Sequence, residues 1–308
     1  MFSVIFPGQG SQIVGMGKEL FNNYNLVKEL FKEADDVLGI SLSKIILEGP
    51  KEELDLTANT QPAIFLISSS IFKVIKNEFN IDLHKAKFFA GHSLGEYSAL
   101  SSSGYLSFSD TIKLLRLRGE AMQNAIPKGE GGMIAILGAN LEQIDKMISN
   151  YKNEFTVQVA NDNSDSQIIM SGRNDDLVKF SEVLKSNSIK SMKLPVSAPF
   201  HCSLMNKATQ IMKTEIEKAS FKDGKNILIS NVTATEILTK KELKKLLIDQ
   251  IESRVRWRES IINMINKGVN HFVEIGPGKV LSGLVKRINK SVKIDTINNE
   301  SDIKQLSI

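Results

Sequence analysis

Lys87-Phe88-Phe89-Ala90-Gly91-His92-Ser93-Leu94-Gly95-Glu96-Tyr97-Ser98-Ala99-Leu100 is the stretch on which the fold turns. Lys87 to His92 is a short apolar run of the kind buried on both faces of a parallel sheet, and the helix-forming Leu94 to Leu100 follows without a linker. Strand, tight turn and helix in direct succession are the context that the G-x-S-x-G pattern of Gly91 to Gly95 requires. Small residues at Gly91 and Gly95 let the chain bend sharply, which puts Ser93 on a strained turn. The Leu94 amide then stands at a helix N-terminus, where it can point at a developing oxyanion. The competing reading is a serine in an ordinary glycine turn.

Outward from this stretch, strand-like and helix-like periods alternate. Phe2 to Phe6 is a second buried-strand run that stops at the loop Pro7-Gly8-Gln9-Gly10. Leu26, Val27, Leu30, Phe31, Ala34, Val37 and Leu38 recur at helical spacing until Gly39, a C-cap. Thr60 and Pro62 open a largely apolar helix through Ile75, and Ser109 caps a long helix that ends before Pro127. From Gly132 the rhythm changes: Met133–Leu137, Leu141–Ile148, Phe155–Ala160, Gln167–Met170, Leu177–Leu184 and Ile189–Leu194 spell βαββαβ, the ferredoxin-like unit. After it, Asn226–Ser230, Leu243–Ile251, Ser260–Ile265, Val269–Ile275, Val280–Ile288 and Val292–Ile297 resume βα alternation. The expectation is an α/β protein whose core is a short parallel sheet flanked by helices. Residues 1–128 and 198–308 would form that large unit and 129–197 an inserted small one, bounded by the Gly129 to Gly132 and Pro195 to Pro199 stretches.

Composition narrows the function classes. The chain has 308 residues, 42% hydrophobic and 24% charged, which suits a packed globular protein and excludes a disordered tail or coiled rod. Lys+Arg 39 against Asp+Glu 35 leaves a net charge of +4, which serves an acidic protein partner or an anionic small molecule as well as nucleic acid. A single cysteine, Cys202, precludes an internal disulfide and any zinc site built on paired cysteines. The apolar N-terminus lacks a basic leader, and the densest apolar stretch, Ala63 to Phe72, falls well short of a membrane span. A cytoplasmic protein without a membrane association is expected.

A serine nucleophile needs a base, and there are four histidines, His84, His92, His201 and His271. His92 adjoins Ser93 on a strand and should lie buried beneath the turn. His84 falls in a charged connector. His201 follows the stiff stretch Pro195 to Phe200 at the crossing between the two units, where clefts form. It is favoured, although a nucleophile-elbow hydrolase usually places its histidine late in the chain, which keeps His271 open as well as a structural reading of it.

The long helix after Ser109 carries Lys113, Arg116, Glu120, Gln123 and Asn124 on one arc, and apolar residues over the rest. Arg118 projects from the middle of the apolar face. A guanidinium there needs an anion, either a protein carboxylate or the carboxylate of a substrate, or must snorkel to solvent. The loop around Gln9 fits neither phosphate-loop pattern, but its glycines permit close backbone approach to a ligand and a second oxyanion donor. Arg254, Arg256 and Arg258 around Trp257 read as a solvated edge or a partner-docking face rather than a nucleic-acid site.

Taken together these segments resemble the malonyl-CoA:acyl carrier protein transacylases, the malonyltransferases of type II fatty acid synthesis. The resemblance runs nearly end to end, through Phe6 to Gln12, Gly91 to Leu100, Leu117-Arg118-Gly119, Pro195-Val196-Ser197 leading to His201-Cys202, and Val273-Glu274-Ile275-Gly276-Pro277-Gly278-Lys279-Val280-Leu281. It implies an α/β-hydrolase-like core with an inserted ferredoxin-like subdomain. It further implies Ser93 as nucleophile, His201 as base, the Gln9 and Leu94 amides as oxyanion hole, and Arg118 as clamp on the malonyl carboxylate. Gln250 matches the position whose backbone carbonyl orients the histidine, and Asn161 resembles a substrate-side position. Phe200 before the histidine, with Leu94 after the nucleophile, is similar to malonyl-selective members. The resemblance implies no bound cofactor and no metal, malonyl-CoA as donor, a phosphopantetheine thiol of acyl carrier protein as acceptor, and a monomer. The alternatives are a free-standing polyketide-type malonyltransferase, a thioesterase or esterase using the same serine, and a non-catalytic carrier-docking module.

Overall fold

The computed structural model describes residues 1–151, 153–196 and 198–308; Ser197, quoted above ahead of His201, lies outside them. The chain opens with β1 (Phe2–Phe6), α1 (Lys18–Asn23), α2 (Asn25–Leu38), α3 (Leu42–Glu48), α4 (Lys51–Leu54) and the long α5 (Thr57–Asn77). β2 (Phe88–Gly91) runs into α6 (Leu94–Ser102), and α7 (Phe108–Gln123) follows. Next come β3 (Gly131–Leu137), α8 (Leu141–Asn150), β4 (Val157–Ser164), β5 (Gln167–Arg173), α9 (Asn174–Ser186) and β6 (Lys190–Lys193). The last third holds α10 (Asn206–Lys218), β7 (Ile227–Ile229), β8 (Glu236–Ile237), α11 (Lys240–Asp249), α12 (Trp257–Asn266), β9 (His271–Ile275), α13 (Val280–Ile288), β10 (Lys293–Ile297) and α14 (Glu300–Gln305).

Six strands form one sheet in the order β10-β9-β1-β2-β7-β8, parallel except for the antiparallel β7–β8 pair. Its apolar runs are continuous because both faces are covered. In β1, Val4 and Phe6 enter one core with α5 and α7 residues such as Phe65 and Leu115, while Ile5 enters a second with Trp257, Leu281 and Val285. Side chains alternate across a strand, so a sheet sandwiched by helices must be apolar at every position. The α/β fold with a helix-flanked parallel sheet is thus as expected.

The second sheet has the order β4-β5-β3-β6, antiparallel throughout, with α8 and α9 burying a separate core that includes Ile136, Ile144, Phe155 and Phe180. Its elements follow the βαββαβ order read from the sequence. The two sheets meet where Val255 N–H donates to Ala160 O at 2.8 Å and Asp162 N–H donates to Val255 O at 3.0 Å. Arg258 of α12 forks onto the buried Asp162 carboxylate at 2.9–3.1 Å. The three arginines therefore form no solvated edge. Arg256 and Arg254 both reach Glu259, and Trp257 between them is fully buried.

Several element boundaries differ from the sequence reading, and three of them bear on the site. The cap of α7 is Ser107, whose hydroxyl accepts from Asp110 N–H at 3.0 Å, whereas Ser109 lies inside the helix and bonds Glu33; α7 also ends at Gln123, leaving Asn124 to Ile126 outside it. α5 starts at Thr57, so Pro62 sits within the helix. Proline has no N–H to offer the carbonyl four residues back, and the Ala58 carbonyl is taken instead by Arg116 Nη1 at 3.3 Å. β4 continues to Ser164 through two register shifts, carrying Asn161 and Asn163 to the edge of the cleft between the sheets.

Candidate active site

The turn between β2 and α6 is forced by close approach of backbones. A Cβ added at Gly91 would lie 2.0 Å from the Gly95 carbonyl, and one at Gly95 would lie 2.2 Å from Phe6 O. Only glycines let α6 start directly over β1 and β2, and the residue between them absorbs the bend: Ser93 has φ 53° and ψ −112°. Asn231, at the carboxyl end of β7, holds this strained turn. Its Oδ1 accepts from Ser93 N–H at 2.7 Å and its Nδ2 donates to Gly91 O at 2.7 Å.

Ser93 Oγ lies 2.8 Å from His201 Nε2. His201 Nδ1 lies 2.8 Å from the backbone carbonyl of Gln250. A carbonyl only accepts, so Nδ1 carries the proton and Nε2 presents a lone pair to the serine hydroxyl. The histidine is buried, and desolvation together with the neighbouring Arg118 charge lowers its pKa from 6.5 to about 3. The imidazole is therefore neutral at ordinary pH, the state a base requires. His201 itself has φ 59°, held by a turn in which Cys202 Sγ donates to Pro199 O at 3.0 Å and Ser171 of β5 donates to Phe200 O.

Arg118 is 1% exposed. Its Nη1 donates to Gln61 Oε1 at 2.7 Å, and its Nη2 donates to Gln250 Oε1 at 2.9 Å and to Ser93 Oγ at 3.1 Å. The guanidinium stands over the Tyr97 ring at 5.6 Å, and its Nε is buried with no acceptor. Among the described residues its hydrogen-bonding partners are all neutral. Burial pushes its pKa down, with Tyr97 and Glu96 opposing, but an arginine keeps its proton in this range. The result is a desolvated cation beside a nucleophile, with two of its five N–H groups, the one on Nε and one on Nη1, unused.

Gln9, Ser93, Leu94, Arg118, Asn161, Phe200 and His201 all line one cavity of about 560 Å³. Gln250 is fully buried behind it. The loop bearing Gln9 is fixed by the later Gly-Pro-Gly segment: Gly276 has φ 148° and a Cβ there would meet Pro7 at 2.5 Å. Glu274 holds that segment by accepting from Leu281 N–H and Ser282 N–H at 3.1 and 2.7 Å, at the N-terminus of α13. Among the described residues, neither the Gln9 nor the Leu94 amide has a protein acceptor.

The other histidines are placed elsewhere. His271 bonds Asp295 across β9 and β10 at 2.7 Å, a structural pair. His84 bonds Asn226. His92 is not sealed beneath the turn as expected; it borders the cavity, because Gly8 lies against its backbone and ring and Trp257 fills the space below. Its Nε2 is engaged by Asn163 Oδ1 at 2.9 Å.

Sequence reasoning missed Gln61, Glu96 and Asn231. Signals existed for two of them. Glu96 is an acid in a helix whose Leu94, Tyr97, Ala99 and Leu100 are all apolar, and Asn231 follows the carboxyl end of a parallel strand, where open α/β sheets gather their sites. Among the described residues there is no group of three or more His, Cys, Asp or Glu side chains that could hold a metal ion. Likewise, no helix among them is long and apolar enough to cross a membrane.

The family model described as "Acyl transferase domain" matches residues 3–306. The malonyl CoA-acyl carrier protein transacylase of Bacillus subtilis (strain 168) is 44% identical over 301 residues, covering 97% of this chain and 94% of that one. The crystal structure of an acyl-carrier-protein-S-malonyltransferase from Bartonella henselae superposes with a TM-score of 0.96 at 41% identity, over 99% of this chain and 97% of that one. A malonyl-transacylase solved in complex with its type II polyketide synthase acyl-carrier protein gives 0.94 at 34% identity, over 99% of this chain and 98% of that one. A strained serine at a strand-to-helix bend, a neutral histidine on its hydroxyl and a near full-length match converge on one assignment: the chain belongs to the acyl transferase family, with the malonyl CoA-acyl carrier protein transacylases as its kin.

Proposed function

We propose that this chain moves the malonyl group of malonyl-CoA to the phosphopantetheine thiol of an acyl carrier protein, in two half-reactions through a malonyl-serine on Ser93. His201 Nε2 accepts the Ser93 proton as Oγ attacks the thioester carbonyl. The Gln9 and Leu94 amides receive the oxyanion, and collapse expels CoA, which recovers the proton from His201. The carrier thiol then attacks the ester as its proton passes to His201; collapse breaks the acyl bond to Ser93 Oγ, which takes that proton back from His201, and the carrier leaves as the malonyl thioester. Throughout, Arg118 grips the free carboxylate, which in malonyl-serine lies only a methylene beyond the ester carbonyl.

The observation that carries this reading is the placement of Ser93 Oγ between His201 Nε2 at 2.8 Å and Arg118 Nη2 at 3.1 Å. A hydrolase needs no buried cation beside its nucleophile; a transferase of dicarboxylic acyl groups does. Phe200 and Asn161 shape the acyl pocket in this account. We also take residues 1–128 with 198–308, and 129–197, as the two units whose junction forms the cleft. The same reading makes the chain a cytoplasmic monomer that needs neither metal nor resident cofactor.

The test is a transfer assay with purified holo-carrier protein and malonyl-, methylmalonyl- and acetyl-CoA in parallel. Preferred malonyl transfer is expected. Steady release of free malonate without an acceptor would instead select a thioesterase. Because one structural relative was solved with a polyketide-type carrier, fatty acid and polyketide carriers belong side by side in that assay.

A further inference from the structure

Gln250 ties three parts of the site together. Its backbone carbonyl takes His201 Nδ1–H, and its side-chain oxygen accepts from Arg118 Nη2 at 2.9 Å. Its side-chain nitrogen donates to Glu96 Oε2 at 2.7 Å and to Ser93 O at 3.1 Å. An amide can face either way; here the Arg118 donor on one side and three acceptors on the other, Glu96 Oε2, Ser93 O and Asn231 Oδ1 at 3.4 Å, set its direction, and Glu96 makes the shortest of those bonds. Oε2 of that residue also accepts from Asn231 N–H at 3.1 Å, while Oε1 is buried with no partner. Glu96 is 1% exposed and makes no direct hydrogen bond to Arg118.

We propose that Glu96 is a positioning residue for acyl-group selection: by making the shortest of the bonds from Gln250 Nε2 it anchors the amide whose oxygen takes Arg118 Nη2, so that the guanidinium is held at Ser93 without a protein carboxylate on its fork. Direct ion pairing would occupy the fork. Relaying the anion through a neutral amide steadies the cation without consuming it. Desolvation raises the Glu96 pKa to about 7, so the acceptor geometry and not a full charge carries the role. Without Glu96 the Gln250 amide loses its shortest acceptor and is held only by the longer contacts to Ser93 O and Asn231 Oδ1, so it can shift, and the guanidinium bonded to its oxygen shifts with it. The Ser93 turn itself should persist, because the Asn231 side chain remains fastened to Ser93 N–H and Gly91 O.

This inference rests on Arg118 being the carboxylate clamp, and the experiment separates the two. Steady-state constants for malonyl-CoA and acetyl-CoA are measured for the wild type, Arg118→Ala, Glu96→Ala, the volume-matched Glu96→Met and Glu96→Gln, with folding checked by circular dichroism. Glu96→Ala or Glu96→Met should raise the malonyl-CoA KM tenfold or more with a smaller change in kcat, lowering the malonyl-to-acetyl ratio of kcat/KM at least tenfold. Glu96→Gln keeps an acceptor where Gln250 and Asn231 donate, and should restore the malonyl-CoA KM to within about threefold of wild type. If Arg118→Ala collapses the ratio but folded Glu96→Ala or Glu96→Met leaves it unchanged, the relay is wrong and the clamp stands. Failure of Glu96→Gln to restore KM also overturns the relay. If Arg118→Ala leaves the ratio unchanged, the clamp itself fails.

Discussion

Ser93 sits between a base that must stay neutral and an arginine that cannot be neutral, and each makes a separate demand on the chemistry. Losing one partner of a desolvated charge pair costs about 3–5 kcal/mol, or roughly 10²- to 10⁴-fold in rate. Arg118→Ala should therefore lower kcat/KM for malonyl-CoA by about that factor and for acetyl-CoA far less, in parallel transfer assays; equal losses would contradict the clamp. Arg118→Lys should rescue little, because an ammonium lacks the planar fork. His201 sets the pH behaviour. With its pKa lowered from 6.5 to about 3, the acid limb of kcat/KM for acetyl-CoA should lie well below 6.5, and a limb centred at 6.5 would contradict the burial argument. The same shift bears on stability: between 6.5 and 3 the unfolded chain binds a proton that the folded chain refuses, so this histidine's contribution is lost as pH falls through that window. At this scale the sequence was legible where a residue type is rare in its setting. Ser93 between glycines and Arg118 among apolar neighbours stood out, whereas Gln61 and Asn231 are ordinary polar residues whose partners lie far along the chain.

The strand β2, the bend and the helix α6 act as one element. Because a Cβ on Gly95 meets backbone atoms of Phe6 and Pro7 at 2.2–2.9 Å, no rotamer change can relieve it. Gly95→Ala should cost at least the 1–3 kcal/mol typical of overpacking, read as a lowered urea midpoint, and should weaken Ser93 acylation by displacing the Leu94 amide. An unchanged midpoint would show that α6 does not rest directly on β1. Elements with strong apolar periodicity were readable, among them α2, β1, β2, β9 and α13. α10 escaped because it buries only Ala208, Met212 and Ile216, one thin stripe in a Lys- and Glu-rich segment. β8 escaped because two residues carry no period. Helix starts shifted by a few residues for a local reason: Ser107 and Ser109 are both competent caps, and only Ser107 has Asp110 N–H within reach of its hydroxyl.

Across the whole molecule, the site exists because two sheets are held at a fixed separation. Asn161 and Phe200 reach the cavity from the four-stranded sheet and the crossing after it, Ser93 and Gln9 from the strand ends of the six-stranded one, and Arg118 from helix α7 beside it. The Arg258–Asp162 fork and the Val255 backbone bonds join them. Arg258→Ala leaves a fully buried carboxylate without its cation, a loss of about 3–5 kcal/mol. The expected outcome is faster amide exchange in β4, with exchange in β9 unchanged; uniform acceleration would mean the fork does not act locally. The order of elements made both sheets foreseeable, since βα alternation and βαββαβ each admit few topologies. Their junction was not, because Arg258, which forms it, reads as part of a surface feature until Asp162 is placed beneath it. The most direct test of the account is intact-mass spectrometry of the chain after mixing with malonyl-CoA. A single malonyl adduct on Ser93 is expected, absent from Ser93→Ala and discharged by the thiol of holo-carrier protein; an adduct that persists in Ser93→Ala, or one that the carrier thiol cannot remove, would contradict it.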